Sequence, residues 1–228
     1  MNLYYAISNN LPLFICAFLG TFILLYLFRK LAFNTGLVDV PNARKIHAKP
    51  IPLIGGLALF IMFALILSVS KEIGLFSFYL IIASGLVVFV GLLDDLFQLS
   101  AFWRFLVQIF ASLMLIYFTQ VQLLTFGHLL LPGTEINLSY LGIPITVFGV
   151  VGVINALNMA DGIDGLAAST FCLPVLVLIG LSGQNPFSLW LLLMIACISV
   201  FILFNKSKTY KVFLGDNGSL LLGFILAW

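Results

Sequence analysis

Charge-free apolar intervals recur along the chain: Leu11 to Phe28, Ile51 to Ser70, Ile73 to Leu93, part of Phe105 to Thr134, and the end of Ile136 to Ala160. Each is long enough for one membrane-crossing helix of about 20 residues. The next interval, Gly165 to Asn205, is too long for one span. It carries the turn-like run Leu181-Ser182-Gly183-Gln184-Asn185-Pro186 and therefore divides into two helices joined by a short hairpin. An eighth helix is expected after Asp216. Only Leu220 to Trp228 is clear of polar residues there, about 14 Å of helix against a hydrocarbon core of about 30 Å. The pattern predicts an all-α, polytopic transmembrane bundle of seven complete spans plus a truncated eighth, in one domain over residues 1–228. The chain is expected to be a shortened version of a longer protein, because a terminus inside lipid leaves backbone carbonyls unpaired.

Composition agrees with this reading and excludes an ordinary soluble domain. Of 228 residues, 63% are hydrophobic and 8% charged, where a soluble domain carries roughly a quarter charged. Three cysteines, Cys16, Cys172 and Cys197, all fall in apolar runs and are expected to behave as small apolar side chains rather than a disulfide framework. No basic region precedes the first apolar stretch and no small-residue cleavage pattern follows it, so that stretch is expected to stay as a helix.

Charge distribution sets an expected orientation. The loops after the first, third, fifth and seventh helices hold Arg29, Lys30, Arg44, Lys45, Lys49, Arg104, Lys206, Lys208 and Lys211, and the remaining loops hold Lys71. Basic residues are retained on the cytoplasmic side, which puts the N-terminus outside. Asp39, Asp94, Asp95, Asp161, Asp164 and Asp216 lie on the same side as the bases, whereas Glu72 and Glu135 lie on the other. A positive-inside bias accounts for the bases and leaves the acids unexplained.

Those acids fall in recognisable surroundings. Asp94 and Asp95 end the third helix as Gly91-Leu92-Leu93-Asp94-Asp95. Adjacent carboxylates at headgroup level repel, so a divalent cation or cationic partner is expected nearby, although a solvated helix end explains the pair alone equally well. Asn158, Asp161 and Asp164 recur every three residues and face one way on a helical turn, flanked by Gly162 and Gly165. A capped helix boundary is the plain alternative, but a boundary does not require two carboxylates and amides beside an apolar helix. Phe213-Leu214-Gly215-Asp216-Asn217-Gly218-Ser219 opens the eighth helix with hard oxygen ligands and free backbone N–H groups, suited to magnesium and phosphate, or to a simple N-cap. The proline-bracketed basic segment Arg44 to Pro52, with Arg44, Lys45, His47 and Lys49, has the look of a shaped phosphate-binding element, where Arg29 and Lys30 mark topology.

Taken in order, five motifs resemble the polyprenyl-phosphate N-acetylhexosamine-1-phosphate transferases: Gly-Leu-Val-Asp-x-Pro-x-x-Arg-Lys-x-His (36–47), Ile-Pro-Leu-x-Gly-Gly (51–56), Gly-x-x-Asp-Asp (91–95), Asn-x-x-Asp-Gly-x-Asp-Gly (158–165) and Lys-Val-Phe-x-Gly-Asp-x-Gly-Ser (211–219). The form of the first loop is similar to the bacterial undecaprenyl-phosphate GlcNAc-1-phosphate branch. That resemblance implies an inner-membrane enzyme with its active site on the cytoplasmic face. It would use Mg²⁺ or Mn²⁺ to transfer N-acetylhexosamine-1-phosphate from a UDP-sugar to undecaprenyl phosphate, releasing UMP, as the first step of O-antigen or envelope polysaccharide assembly. It further implies Asp216 on the metal with Asp94 and Asp95 close by, Asp94, Asp95 and Asp161 as catalytic carboxylates, and Asn158 and Asp164 at the nucleotide and diphosphate. Asn205 and Phe213 would lie near the uracil, and Arg44, Lys45, His47 and Lys49 would contact phosphate. The expected partners are UDP-N-acetylhexosamine, undecaprenyl phosphate and membrane lipid, with a homodimer admitted and no nucleic acid. Relatives continue into a later His-rich loop that this chain does not reach, so an inactive fragment stays open as an alternative. A cation-coupled transporter is the other; its ion sites usually lie near the bilayer midplane, whereas these acids gather at helix ends.

Overall fold

The computed structural model describes residues 10–41, 49–69, 74–127, 135–182 and 186–228. Among them are eight α-helices: α1 (Leu11–Thr35), α2 (Gly55–Val69), α3 (Gly74–Phe97), α4 (Ala101–Thr119), α5 (Gly142–Ala160), α6 (Leu166–Ser182), α7 (Pro186–Asn205) and α8 (Asp216–Ala227). Five helical segments are long and apolar enough to cross a membrane: Leu11–Thr35, Gly74–Phe97, Ala101–Thr119, Ser139–Ala160 and Phe187–Asn205. Shorter apolar helices occupy Gly55–Val69, Leu166–Leu181 and Asp216–Ala227. The chain is thus a polytopic helical membrane protein. Its outward faces are as apolar as its interior: Phe18, Phe22, Tyr26 and Leu27 on α1 are all exposed, as lipid contact requires. The cysteines are free, as their apolar settings predict.

Element boundaries depart from the charge-free intervals in two ways. Charges do not end helices here: α1 runs on through Arg29 and Lys30, and α3 through Asp94 and Asp95, because a helix satisfies its own backbone whatever its side chains carry. The interval from Ile51, by contrast, does not begin as helix. Ile51–Pro52 forms β2, antiparallel to β1 (Val38–Asp39), with Val38 opposite Pro52 and Asp39 opposite Ile51. Pro50 and Pro52 supply no N–H and disfavour helical geometry in the residues before them, so the helix waits until Gly55.

The shortest helix is the most enclosed. Leu220, Leu221, Leu222 and Phe224 of α8 have no exposed surface, and the helix packs against α5, α3, α2 and α6. Two glycines let it in. A Cβ on Gly56 of α2 would sit 2.2 Å from the Gly218 Cα, and one on Gly91 of α3 would sit 2.5 Å from the Asn217 Cα. Small residues at such crossings allow backbones to approach within van der Waals contact, the main attraction between helices in lipid. The Gly-Gly and Gly-x-x-Asp-Asp motifs therefore dock the N-terminal turn of α8 between α2 and α3.

Candidate active site

Four helix ends meet around that turn. The first N–H groups of α8 have no partner within the helix, and the donors are met from outside it. Asp95 Oδ1 accepts the Asp216 N–H at 2.9 Å, and Asp95 Oδ2 accepts the Asn217 N–H at 3.1 Å and the Asn217 side-chain amide. A carboxylate on α3 thus caps α8, where the helix dipole also favours negative charge. Asn217 Nδ2 also donates to the Leu53 carbonyl at 3.1 Å. Backbone bonds tie the same loops together: Phe213 N–H to Pro52 O at 2.8 Å, Gly55 N–H to Phe213 O at 3.0 Å and Gly56 N–H to Leu214 O at 3.0 Å. Two motifs about 160 residues apart in sequence become one stitched strand pair.

Asp94 and Asp95, neighbours in sequence, go to different work. Asp94 is 7% exposed and accepts from Arg104 Nη1 at 2.8 Å. The same Arg104 nitrogen lies 3.7 Å from Asp216 Oδ2. The turn at Gln98 and Ser100 folds α4 back beside α3, which brings an arginine ten residues later against Asp94. From α5, Asn158 Nδ2 donates to Asp216 Oδ1 at 2.5 Å and to Ser219 Oγ at 2.9 Å. Asp161, at the C-terminal end of α5, has no cation beside it among the described residues. Burial, with the charges of Asp216, Asp95 and Asp164 adding to it, pushes its carboxyl up to about 8.

A second group flanks the first. Lys211 pairs with Asp164 and lies 5.4 Å from the centre of the Phe213 ring. Asn205 donates to the Val212 carbonyl at 2.9 Å, closing the loop that leads from α7 to α8, while its buried Oδ1 has no hydrogen-bond partner.

The structure therefore brings together Asp94, Asp95, Asn158, Asp161 and Asp216, with Asp164, Asn205 and Phe213 along the adjoining loop. Lys49 is exposed just ahead of β2. Arg44, Lys45 and His47 lie outside the described residues. Arg104 is the addition that sequence reading missed. The signal for Arg104 was present: it is the lone charged residue between Asp95 and Glu135, and the Asp94-Asp95 pair called for a cationic partner.

Chemically, four carboxylates gather here, Asp94, Asp95, Asp161 and Asp216, and Arg104 pairs with two of them, Asp94 and Asp216, a crowding of acids that a divalent cation would relieve. All the side-chain donors are hard oxygens, the set Mg²⁺ and Mn²⁺ prefer. Among the described residues no three His, Cys, Asp or Glu side chains converge as a finished metal cage. Open coordination of that kind is how Mg²⁺ is usually held, through one or two carboxylates with waters and substrate phosphates making up the rest.

Known proteins are similar to this chain in sequence. The chain is 41% identical over 219 residues to an undecaprenyl-phosphate alpha-N-acetylglucosaminyl 1-phosphate transferase of Yersinia pestis, covering 92% of this chain and 59% of that protein. A Salmonella typhi protein of the same name is 39% identical over 222 residues, covering 94% and 60%. A probable undecaprenyl-phosphate N-acetylglucosaminyl 1-phosphate transferase of Bacillus subtilis is 33% identical over 223 residues, with the same coverage. The chain spans about 60% of the length of these relatives. The sequence family described as Glycosyl transferase family 4 matches residues 77–228, a stretch that contains the entire carboxylate cluster, and this chain belongs to that family.

Proposed function

We propose that the chain transfers N-acetylhexosamine-1-phosphate, with GlcNAc-1-phosphate the first choice, from the UDP-sugar to undecaprenyl phosphate, releasing UMP, in the first step of lipid-linked O-antigen or envelope polysaccharide synthesis. The observation that carries this reading is the meeting of Asp94 of α3 and Asp216 of α8 on Arg104, with Asp161 at the end of α5 among the same carboxylates. The names of the relatives support the acceptor and the sugar. In the proposed reaction a phosphate oxygen of the acceptor lipid bonds to the β-phosphorus of the UDP-sugar, and the bond from that phosphorus to the bridging oxygen breaks, so that UMP departs with the bond's electrons.

Each side chain has a distinct task in this scheme. Asp216 and Asp94 would hold Mg²⁺ or Mn²⁺. The ion, when bound, lowers the charge of the diphosphate and stabilises the departing UMP. Asp95 holds the α8 turn in place through its two backbone N–H partners, and through that turn it holds Asp216. Arg104 supplies fixed positive charge where two anionic substrates must approach each other. Asp161, whose carboxyl is pushed up to about 8, would exchange a proton with the lipid phosphate. Asn158 orients Asp216, and the Asp164–Lys211–Phe213 side together with Asn205 receives the nucleotide. Lys49 and the Arg44, Lys45 and His47 segment would contact phosphate from the first loop. Seven spans with an eighth helix, an outside N-terminus and a cytoplasmic site in the bacterial inner membrane complete the reading, supported by the distribution of basic residues.

The test is formation of lipid-linked sugar phosphate and release of UMP by membranes carrying this chain, given UDP-GlcNAc and undecaprenyl phosphate with and without Mg²⁺. Asp216→Asn is the control. Metal-dependent product that falls about 100-fold or more in the variant is the expected result. Product that is indifferent to both metal and Asp216 would sink the proposal.

A further inference from the structure

One buried polar contact lies deeper in the membrane-spanning part than the carboxylates and takes no part in the scheme above. Gln108 on α4 has no exposed surface. Its Oε1 accepts the Asn155 side-chain amide of α5 at 2.7 Å, and Asn155 Nδ2 also donates to the Val151 carbonyl at 2.8 Å. Gln108 Nε2 is buried with no hydrogen-bond partner. Two primary amides in an apolar span, one of them half satisfied, are a poor choice if the aim is only to fill space, since a leucine would do so without desolvating a donor.

Their position suggests another use. Gln108 stands four residues after Arg104 on α4, and Asn155 stands three residues before Asn158 on α5, so in each helix the amide sits one turn from a residue of the site and on the same face. Arg104 and Asn158 are the two side chains that reach Asp216 from these helices. Beyond the amides, Ile109, Leu113, Val147 and Val151 line an apolar groove of about 380 Å³ between α4 and α5. Ile109 and Leu113 are exposed there, so on that outward face the two helices do not close on each other. An interhelical hydrogen bond is directional and specifies a register.

We propose that Gln108 and Asn155 form a positioning pair that fixes α4 against α5 and so holds Arg104 and Asn158 on Asp216. The consequence for turnover rests on the transferase reading; the coupling between the pair and the charged cluster does not. Two measurements separate these. The first is a melting cycle in detergent with Gln108→Leu, Arg104→Gln and the double variant. Because the amide pair and the arginine act on one arrangement, the double variant melts at least about 2 °C above the additive expectation. The same cycle with Asn158→Ala replaces it if the arginine variant does not fold.

The second measurement is steady-state turnover with UDP-GlcNAc and undecaprenyl phosphate. Gln108→Leu and Asn155→Leu each lower kcat by about 10-fold to 100-fold while KM for UDP-GlcNAc stays within about threefold, the signature of misplaced rather than missing groups. The exchanged pair, Gln108→Asn with Asn155→Gln, keeps the summed side-chain length and regains most of the activity. Additive melting shifts, or an exchanged pair no better than the single variants, overturn the proposal. Absence of turnover in the parent chain would remove the transferase reading and leave the melting cycle to decide the pair.

Discussion

The two ends of the α4–α5 pair make the same kind of connection with different materials. At the end remote from the carboxylates, the described residues 120–127 and 135–141 are joined by backbone and hydroxyl hydrogen bonds: Phe126 N–H to Ile136 O at 3.0 Å, Leu138 N–H to Leu124 O at 2.9 Å, and Leu123 N–H to Thr146 Oγ1 at 2.9 Å. At the other end stand Asp94, Asp95, Asp161, Asp164 and Asp216 with Arg104 and Lys211. Those three bonds use backbone and hydroxyl groups and need no carboxylate, whereas five acids gather at the other end. Like charges gathered at partial burial are costly unless something outside the chain makes them worthwhile, and that excess marks the functional end.

The comparison breaks if the charged end proves to be mere scaffolding, and Gly56→Ala probes that scaffold with the largest effect. Its Cβ would collide with backbone of α8, and the expected outcome is destabilisation by about 3 kcal/mol or more, read as a fall in melting midpoint in detergent together with loss of turnover. Next comes Asp95. Asp95→Leu leaves the Asp216 and Asn217 N–H groups without their acceptor and should lower stability by about 1–3 kcal/mol, whereas Asp95→Asn retains one acceptor oxygen and loses less. Equal stability of the two variants would show that the carboxylate is not the cap of α8.

Asp161 sharpens the comparison through pH. Its carboxyl is held up to about 8 in the folded protein, against about 4 in the unfolded chain. The folded state binds this proton more tightly, so between pH 4 and pH 8 the unfolded state carries fewer protons and stability falls as pH rises. Asp161→Asn removes that loss. In EDTA the variant should melt above the parent at pH 8, with the gap closing toward pH 4; a gap that widens on acidification would contradict the placement of Asp161 among uncompensated acids. The smallest effect belongs to the remote end: Thr146→Val removes the acceptor of the Leu123 N–H and should cost about 1 kcal/mol with turnover unchanged.

Much of the site was legible before the fold. Asp94, Asp95, Asn158, Asp161 and Asp216 stand out because charge and amide groups beside long apolar helices are expensive, and such placements are rare without a use. Their division of labour was not legible. Nothing local separates Asp94 from Asp95, yet one pairs with Arg104 and the other caps α8. Arg104 reads as a topology marker until the α3–α4 turn brings it back ten residues along.

The chain by itself determined that helices would cross a membrane and roughly where, because apolar length and scarcity of charge are one-dimensional properties set by the thickness of lipid. It also marked the carboxylates and amides that stand beside long apolar helices. Only the tertiary structure decided which partners they meet. The central place of the short α8 and the cap supplied by Asp95 depend on backbone approaches between segments far apart in sequence, at positions where a glycine removes one atom and a helix end leaves donors open.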